Sequence, residues 1–440
     1  MDFVPHDEKT VYELLNAIGV DSVDQLFEDI PKDLRIDKLD IPEGLSEPEL
    51  LHELTELSRK NRTYSSSFLG AGCYYHYIPS LVDFIISRSE FYTSYTPYQA
   101  EASQGFLQAI YEYQTAISRL THMDISNASM YDGSTAMAEA IIMASAVTRR
   151  DKVLLLEGIH PEYVEVARTY CWGHNIEYEI VSIEDFSTKI DDQTAAIVIQ
   201  NPLFFGDILD LSSFVNKIRE SNSKCLIIQV MTDPTCLGIL KAPGECDIDI
   251  FIAEGQSFGM HPSFGGPGLG IFATKKRFMR KIPGRLVGKT TEINGEGTGF
   301  LLTLQAREQH IRREKAISNI CTNQALCMLS ALIYLLSMGK YGLKEIAAQN
   351  IQKAYFLKDR LSKIDGFKPL NKNPTYNEFT MKVPNADYLI QQCEEKNILA
   401  PLKLSKYFPE RDDQVLICVT ELNSHEDIEN FIQIAKETTK

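Results

Sequence analysis

What most constrains the fold of this chain is an alternation between residues 151 and 253. The segments 152–156, 178–181, 195–199 and 225–230 are short and mostly apolar, and helical stretches near 161–170 and 212–220 separate them. Strands that are apolar on both faces and joined through helices form a mostly parallel sheet covered on both sides, the hallmark of an α/β fold. Such a sheet binds ligands just past the carboxyl ends of its strands. The segment 225–230 runs into Met231-Thr232-Asp233-Pro234, so Asp233 stands at such an end.

A second stretch, 249–270, reads DIFIAEGQSFGMHPSFGGPGLG. An apolar run stops at Glu254-Gly255, a polar turn holds Gln256, and Gly265-Gly266-Pro267-Gly268-Leu269-Gly270 leads into a second apolar run. The pattern predicts strand, functional loop, strand. Upstream, Gly133-Ser134-Thr135 opens the apolar helix expected over 137–147. A Gly-Ser-Thr turn at a helix N-terminus offers amides, hydroxyls and the positive end of the dipole to an anion such as phosphate, although the same residues also cap ordinary helices. Two other glycine patterns carry no nucleotide motif. Gly284–Thr290 is one residue short of a P-loop, and 266–270 lacks the dinucleotide spacing and precedes a strand.

Residues 63–105 are rich in loops and aromatic residues: Tyr74, Tyr75, His76, Tyr77, Tyr92, Tyr95 and Tyr98 crowd it. Loop tyrosines offer a ring and a hydroxyl at small entropic cost, as binding residues or at a wet subunit interface. Residues 1–62 are expected to form a helical arm, with Val11, Leu14, Leu15 and Ile18 at helical spacing and Ser46 as a helix cap. The block 303–323 reads as a charged helix. Apolar helical spacing over 324–336 breaks at Tyr341-Gly342 and resumes over 343–361. Two strand-like runs, 378–383 and 415–419, flank helices near 387–396 and 426–437 and close the chain as a small α+β domain. The domains expected are therefore 1–62, 63–330 and 331–440.

With 44 Lys+Arg against 60 Asp+Glu, the net charge is −16, which argues against nucleic acid as a partner. The nine cysteines include no C-x-x-C pair, so neither a metal site nor a disulfide framework is expected. The acidic N-terminus lacks a secretory h-region and no apolar run looks long enough for a bilayer, so a cytoplasmic protein without membrane association is expected.

Seven stretches in order carry a resemblance over nearly the whole chain: SFLGAG (67–72), YTPYQAEASQG (95–105), TAMAEA (135–140), DPTCLGIL (233–240), EGQSFG with SFGGPGLG (254–270), PGRLVGKT (283–290) and LTLQAREQHIRREKAISNICTNQ (302–324). The chain resembles glycine decarboxylase, the P-protein of the glycine cleavage system, in the subunit 1 branch of its two-subunit form. The resemblance implies an aspartate-aminotransferase-like fold, pyridoxal-phosphate fold type I, with a small C-terminal domain. It implies that the lysine holding pyridoxal phosphate belongs to subunit 2, because Gln256 stands at the matching place here and an amide cannot form the imine. The implied reaction is decarboxylation of glycine and transfer of the aminomethyl group to the lipoyl group of H-protein, with this chain as a partner-dependent oxidoreductase subunit. A non-catalytic subunit that shapes the complex or docks H-protein is the alternative. Ser134, Thr135 and Asp233 match positions that grip the cofactor phosphate and ring nitrogen in relatives and are expected here as relics. Tyr95, Thr96, Tyr98 and Gln99 are expected to reach the partner's cofactor site across the interface.

Overall fold

A computed structural model describes residues 6–36, 38–222, 224–293 and 295–438. The chain divides into two units, Met1–Thr63 and Tyr64–Lys440. In the first, Asp7 caps helix Glu8–Ile18 by accepting the Thr10 N–H at 2.8 Å, and Gly19, at φ 87°, ends it. Helix Glu47–Ser58 begins where Glu49 accepts the Ser46 N–H at 2.9 Å. None of this unit's described residues is buried, Leu14, Ile18, Leu54 and Leu57 included.

The second unit is built on a seven-stranded sheet in the order Ile125–Ser126, Gly270–Thr274, Ile250–Glu254, Leu226–Met231, Thr194–Gln200, Lys152–Leu156, Glu177–Val181. Its five strands from Ile250–Glu254 to Glu177–Val181 are mutually parallel, and Gly270–Thr274 runs antiparallel, pairing Phe272 with Ile252. The alternation in the sequence predicts this sheet, and the strands nearest its middle are buried along their whole length. Each fully buried Ile, Leu or Val there contributes roughly 1.5–3 kcal/mol. Helix Gly133–Thr148 packs on one face, with Met137, Ile141 and Ala144 against Val198, Ile228 and Ile252. Helix Leu211–Ser221 covers the other through Val215 and Ile218.

A smaller antiparallel sheet joins Lys368–Pro369, Glu378–Lys382, Gln414–Cys418 and Leu402–Lys403. Helices Ala386–Glu395 and His425–Glu437 bury Leu389, Phe431 and Ile434 in the core of this sheet.

Three expectations need correction. The block 303–323 forms no continuous helix, only the short turns Gln305–Arg307, Gln309–Arg312 and Arg313–Lys315. Leu304 and Arg313 take φ 55° and 52°, which a continuous helix excludes, and the block has no apolar stripe to dock. The long helix Ala325–Leu361 breaks at Gly339, where φ is 56° and ψ −171°, and not at Tyr341-Gly342. Only glycine reaches that backbone cheaply. By length and composition this helix is also apolar enough to cross a membrane, contrary to the reading that no run is. Its first half serves as a core helix: Met328, Leu329, Leu332 and Tyr334 are buried, packed with Phe258 and Ile110.

Candidate active site

The strand Ile250–Glu254 delivers its last residue, Glu254, and then Gln256 into a cleft of about 350 Å3 at the carboxyl edge of the large sheet. Both ends of the Gln256 carboxamide are engaged. The Tyr74 N–H donates to Oε1 at 2.9 Å, and Nε2 donates to the Tyr74 carbonyl at 3.0 Å and the Met260 carbonyl at 2.6 Å. Gln256 is buried, so these bonds are made where water does not compete.

The Gly-Ser-Thr turn opens helix Gly133–Thr148 as expected, but its donors face the chain's own acids. The Gly133 N–H donates to Glu254 Oε2 at 2.9 Å. Glu254 Oε1 accepts the Leu269 N–H at 2.9 Å and the Gln256 N–H at 3.0 Å. Asp132 accepts the Thr135 N–H at 2.8 Å and the Ser134 hydroxyl at 2.5 Å. Burial pushes the Glu254 carboxyl up to about 7, although three backbone amides favour its charged form. A Cβ at Gly133 would strike the Tyr163 hydroxyl, so only glycine lets the helix start this close to Glu254.

Asp233 lies past its strand end, as the topology requires, and is buried. Its Oδ2 meets His76 Nε2 at 3.0 Å and accepts from Asn377 Nδ2 at 2.7 Å, while Oδ1 accepts the Thr235 hydroxyl at 2.6 Å. His76 Nδ1 reaches Glu421 Oε2 at 2.9 Å. Burial opposes charge on His76, but Asp233 and Glu421 outweigh it and hold the imidazole up to about 10. Burial likewise opposes the Asp233 carboxylate, and His76 keeps it below its ordinary value. Beside them the Tyr74 hydroxyl donates to Glu378 Oε2 at 2.8 Å, and burial pushes the Glu378 carboxyl up to about 7.

The cleft does not fit pyridoxal phosphate. The Gln256 amide cannot form an imine, the Glu254 carboxylate already accepts the Gly133 N–H at the helix N-terminus, and His76 is already paired with the Asp233 carboxylate. Asp132, Glu162 and Glu254 line the cleft, and among its described residues there is no lysine or arginine to offset them. Lys275 is bound at 3.0 Å to Asp249, at the other end of the strand that delivers Glu254, and is no part of the cleft.

The loop Tyr95–Gln99 lines no part of this cleft. The structure brings Thr96 and Tyr98 together on one buried guanidinium. Arg285 Nη1 donates to the Thr96 hydroxyl at 3.1 Å and the Thr322 hydroxyl at 2.8 Å. Its Nη2 donates to the Tyr98 hydroxyl at 3.0 Å and the Cys321 carbonyl at 2.7 Å. Tyr95 is more exposed, at 81%, and stands apart from this cluster, as does Gln99. Of the crowded aromatic residues Tyr74 and His76 turn inward, while Tyr75, Tyr77, Tyr92, Tyr95 and Tyr98 face outward.

Sequence reading did not single out Glu254, Glu378, Glu421, Asn377, Arg285 or Thr322. Glu254 carried a signal, an acid ending an apolar strand two residues before Gln256. Glu378 and Glu421 lie more than a hundred residues downstream, and only folding reveals their pairing with Tyr74 and His76.

Architecture and cleft together define a protein of the pyridoxal-phosphate fold type I class. The chain belongs to the glycine cleavage system P-protein family, whose model matches residues 1–435. It is 47% identical to the probable glycine dehydrogenase (decarboxylating) subunit 1 of Carboxydothermus hydrogenoformans over 444 aligned residues, 99% of each chain. The protein of the same description from Desulforamulus reducens is also 47% identical, over 98% of each. A crystal structure of glycine decarboxylase (P-protein) of the glycine cleavage system, in inhibitor-bound form, superposes with a TM-score of 0.90 at 38% identity, covering 99% of this chain and 100% of that one. An aspartate aminotransferase from Thermus thermophilus, at 13% identity and a TM-score of 0.57, shares the fold alone.

Proposed function

We propose that this chain acts as subunit 1 of the glycine-decarboxylating enzyme of the glycine cleavage system, completing a catalytic site carried by a lysine-bearing second subunit. The observation that carries the proposal is Gln256: it cannot form an imine, and both ends of its amide are committed to Tyr74. Pyridoxal phosphate is then held covalently by subunit 2 and not by this chain. Glycine is the substrate, carbon dioxide leaves, and the aminomethyl group passes to lipoylated H-protein. The Tyr95–Gln99 loop supports the cross-subunit role, because Thr96 and Tyr98 are fixed by Arg285 outside this chain's own cleft.

The self-contained locks at Glu254 and His76 favour a second reading, a non-catalytic subunit that shapes the complex or docks H-protein. Exchange of carbon dioxide with the glycine carboxyl, assayed for each subunit alone and for the co-purified pair, tests the proposal. Activity confined to the pair is expected. Full activity from subunit 2 alone would overturn the proposal.

A further inference from the structure

Arg285 is 2% exposed, yet among the described residues no carboxylate forms an ion pair with it. Its four acceptors are three hydroxyls and one carbonyl, all neutral, and its Nε has no partner. Arg307 repeats the pattern close by. It is buried, donates from Nη2 to the Gly284 carbonyl at 2.7 Å, and its Nε is also unpartnered. One carboxylate, Glu308, acts on both guanidinia, but it forms no direct ion pair with either, its Oε1 has no hydrogen-bond partner, and burial raises its own carboxyl above the ordinary value. Two buried guanidinia against one carboxylate that pairs directly with neither leave an excess of positive charge, which an anion from outside this chain would offset.

The hydroxyls bound to Arg285 set how that anion would be met. A guanidinium only donates, so every hydroxyl on Arg285 is an acceptor toward it and keeps its own hydrogen to give. Among the described residues Thr96 and Tyr98 give theirs to nothing, and Thr322 reaches only the Asn323 carbonyl, at 3.5 Å. Tyr98 is 56% exposed, so the residue that carries this hydroxyl stands at the surface of the loop. The guanidinium also lies 5.2 Å from the centre of the Tyr98 ring, which fixes the ring as well as the hydroxyl. Hydroxyls that accept from a cation are polarised into better donors.

We propose that Arg285 is a positioning residue that turns the Thr96, Tyr98 and Thr322 hydroxyls into aligned donors for an oxyanion of the partner's site, the cofactor phosphate or the glycine carboxylate. This rests on the reading that the Tyr95–Gln99 loop works across the subunit interface. Lysine at 285 would keep the charge but lose the fork that holds several acceptors at once.

The test uses the assembled pair carrying Arg285→Lys, Tyr98→Phe or both. Two constants are measured beside turnover: KM for glycine, and the Kd of the cofactor-stripped pair for added pyridoxal phosphate, followed by absorbance. Arg285→Lys is expected to raise one of them about tenfold. A shift in Kd identifies the phosphate as the anion, and a shift in KM identifies the carboxylate. Since Arg285 acts through the Tyr98 hydroxyl, the double variant is expected to be little worse than the poorer single one. Losses that multiply in the double variant would overturn the proposal, and so would wild-type constants in an assembled Arg285→Lys pair. If Tyr98→Phe lowers turnover while Arg285→Lys does not, the positioning role fails and the cross-interface reading stands. If both are silent, both fail. Should Arg285→Lys not assemble, Thr96→Val and Thr322→Val each remove one hydroxyl and leave the guanidinium, and unchanged constants in both would overturn the proposal.

Discussion

Gln256 and Tyr74 exchange two hydrogen bonds, the Tyr74 N–H to Oε1 at 2.9 Å and Nε2 to the Tyr74 carbonyl at 3.0 Å. The pair ties the loop after the large sheet's edge to a segment 182 residues upstream. The Gln256 side chain thereby acts as a structural clasp. Glu254 against the helix N-terminus and His76 against Asp233 add two further internal contacts.

The isolated chain should accordingly form no imine with pyridoxal phosphate, and Gln256→Lys should not give it glycine decarboxylation. The Glu254 carboxylate would still hold the Gly133 N–H and His76 would still hold Asp233, so the groups around the new lysine would remain committed to each other. Borohydride reduction with peptide mapping checks the first expectation, and carbon dioxide release from glycine by the purified variant checks the second. A stoichiometric pyridoxyl-lysine in the native chain would contradict this expectation.

Gln256→Leu should destabilise the chain. It strands the buried Tyr74 N–H and carbonyl, at roughly 1–3 kcal/mol for each group left without a partner. Urea denaturation of the isolated chain would show the lower midpoint. An unchanged midpoint would mean that water or a neighbouring group replaces the amide.

His76 predicts a loss of stability in alkali. Its folded value of about 10 lies above the ordinary histidine value of 6.5, so its contribution is complete below about 6.5 and disappears as pH rises through 10. Glu254 and Glu378 act in the same direction at lower pH. Both are raised to about 7, so their contribution is complete below the usual carboxyl range and is lost as pH climbs through 7. His76→Gln should flatten the alkaline limb and cost about 3–5 kcal/mol near neutrality, as expected when one partner leaves a buried charge pair. Denaturation midpoints between pH about 5 and about 10 read both effects.

The central sheet was legible because its strands are apolar throughout and the helices between them keep the helical period. Gln256 and Asp233 were legible because each follows directly on a strand end, where such sheets place their chemistry. The block 303–323 misled because charged residues at helical spacing do not make a helix without an apolar stripe to dock. The fates of Ser134 and Thr135 were hidden for another reason. The carboxylate facing that turn comes from Glu254, 121 residues away from Gly133, and no local pattern records it. Arg285 was hidden likewise, since Thr96, Tyr98 and Thr322 meet only through the tertiary fold.

Carbon dioxide exchange with glycine by the co-purified pair, carrying Tyr98→Phe or Tyr95→Phe in this chain, tests the cross-subunit role most directly. Each substitution removes only a hydroxyl from an exposed ring, so the pair should assemble at its normal stoichiometry, checked on the same sample. A lost hydrogen bond to an anionic group is worth roughly 1.5–3 kcal/mol, so turnover should fall about tenfold or more. The larger loss is expected for Tyr98, whose hydroxyl Arg285 holds at 3.0 Å. Full activity in both assembled variants would contradict a catalytic contribution from this loop and leave the chain a structural subunit.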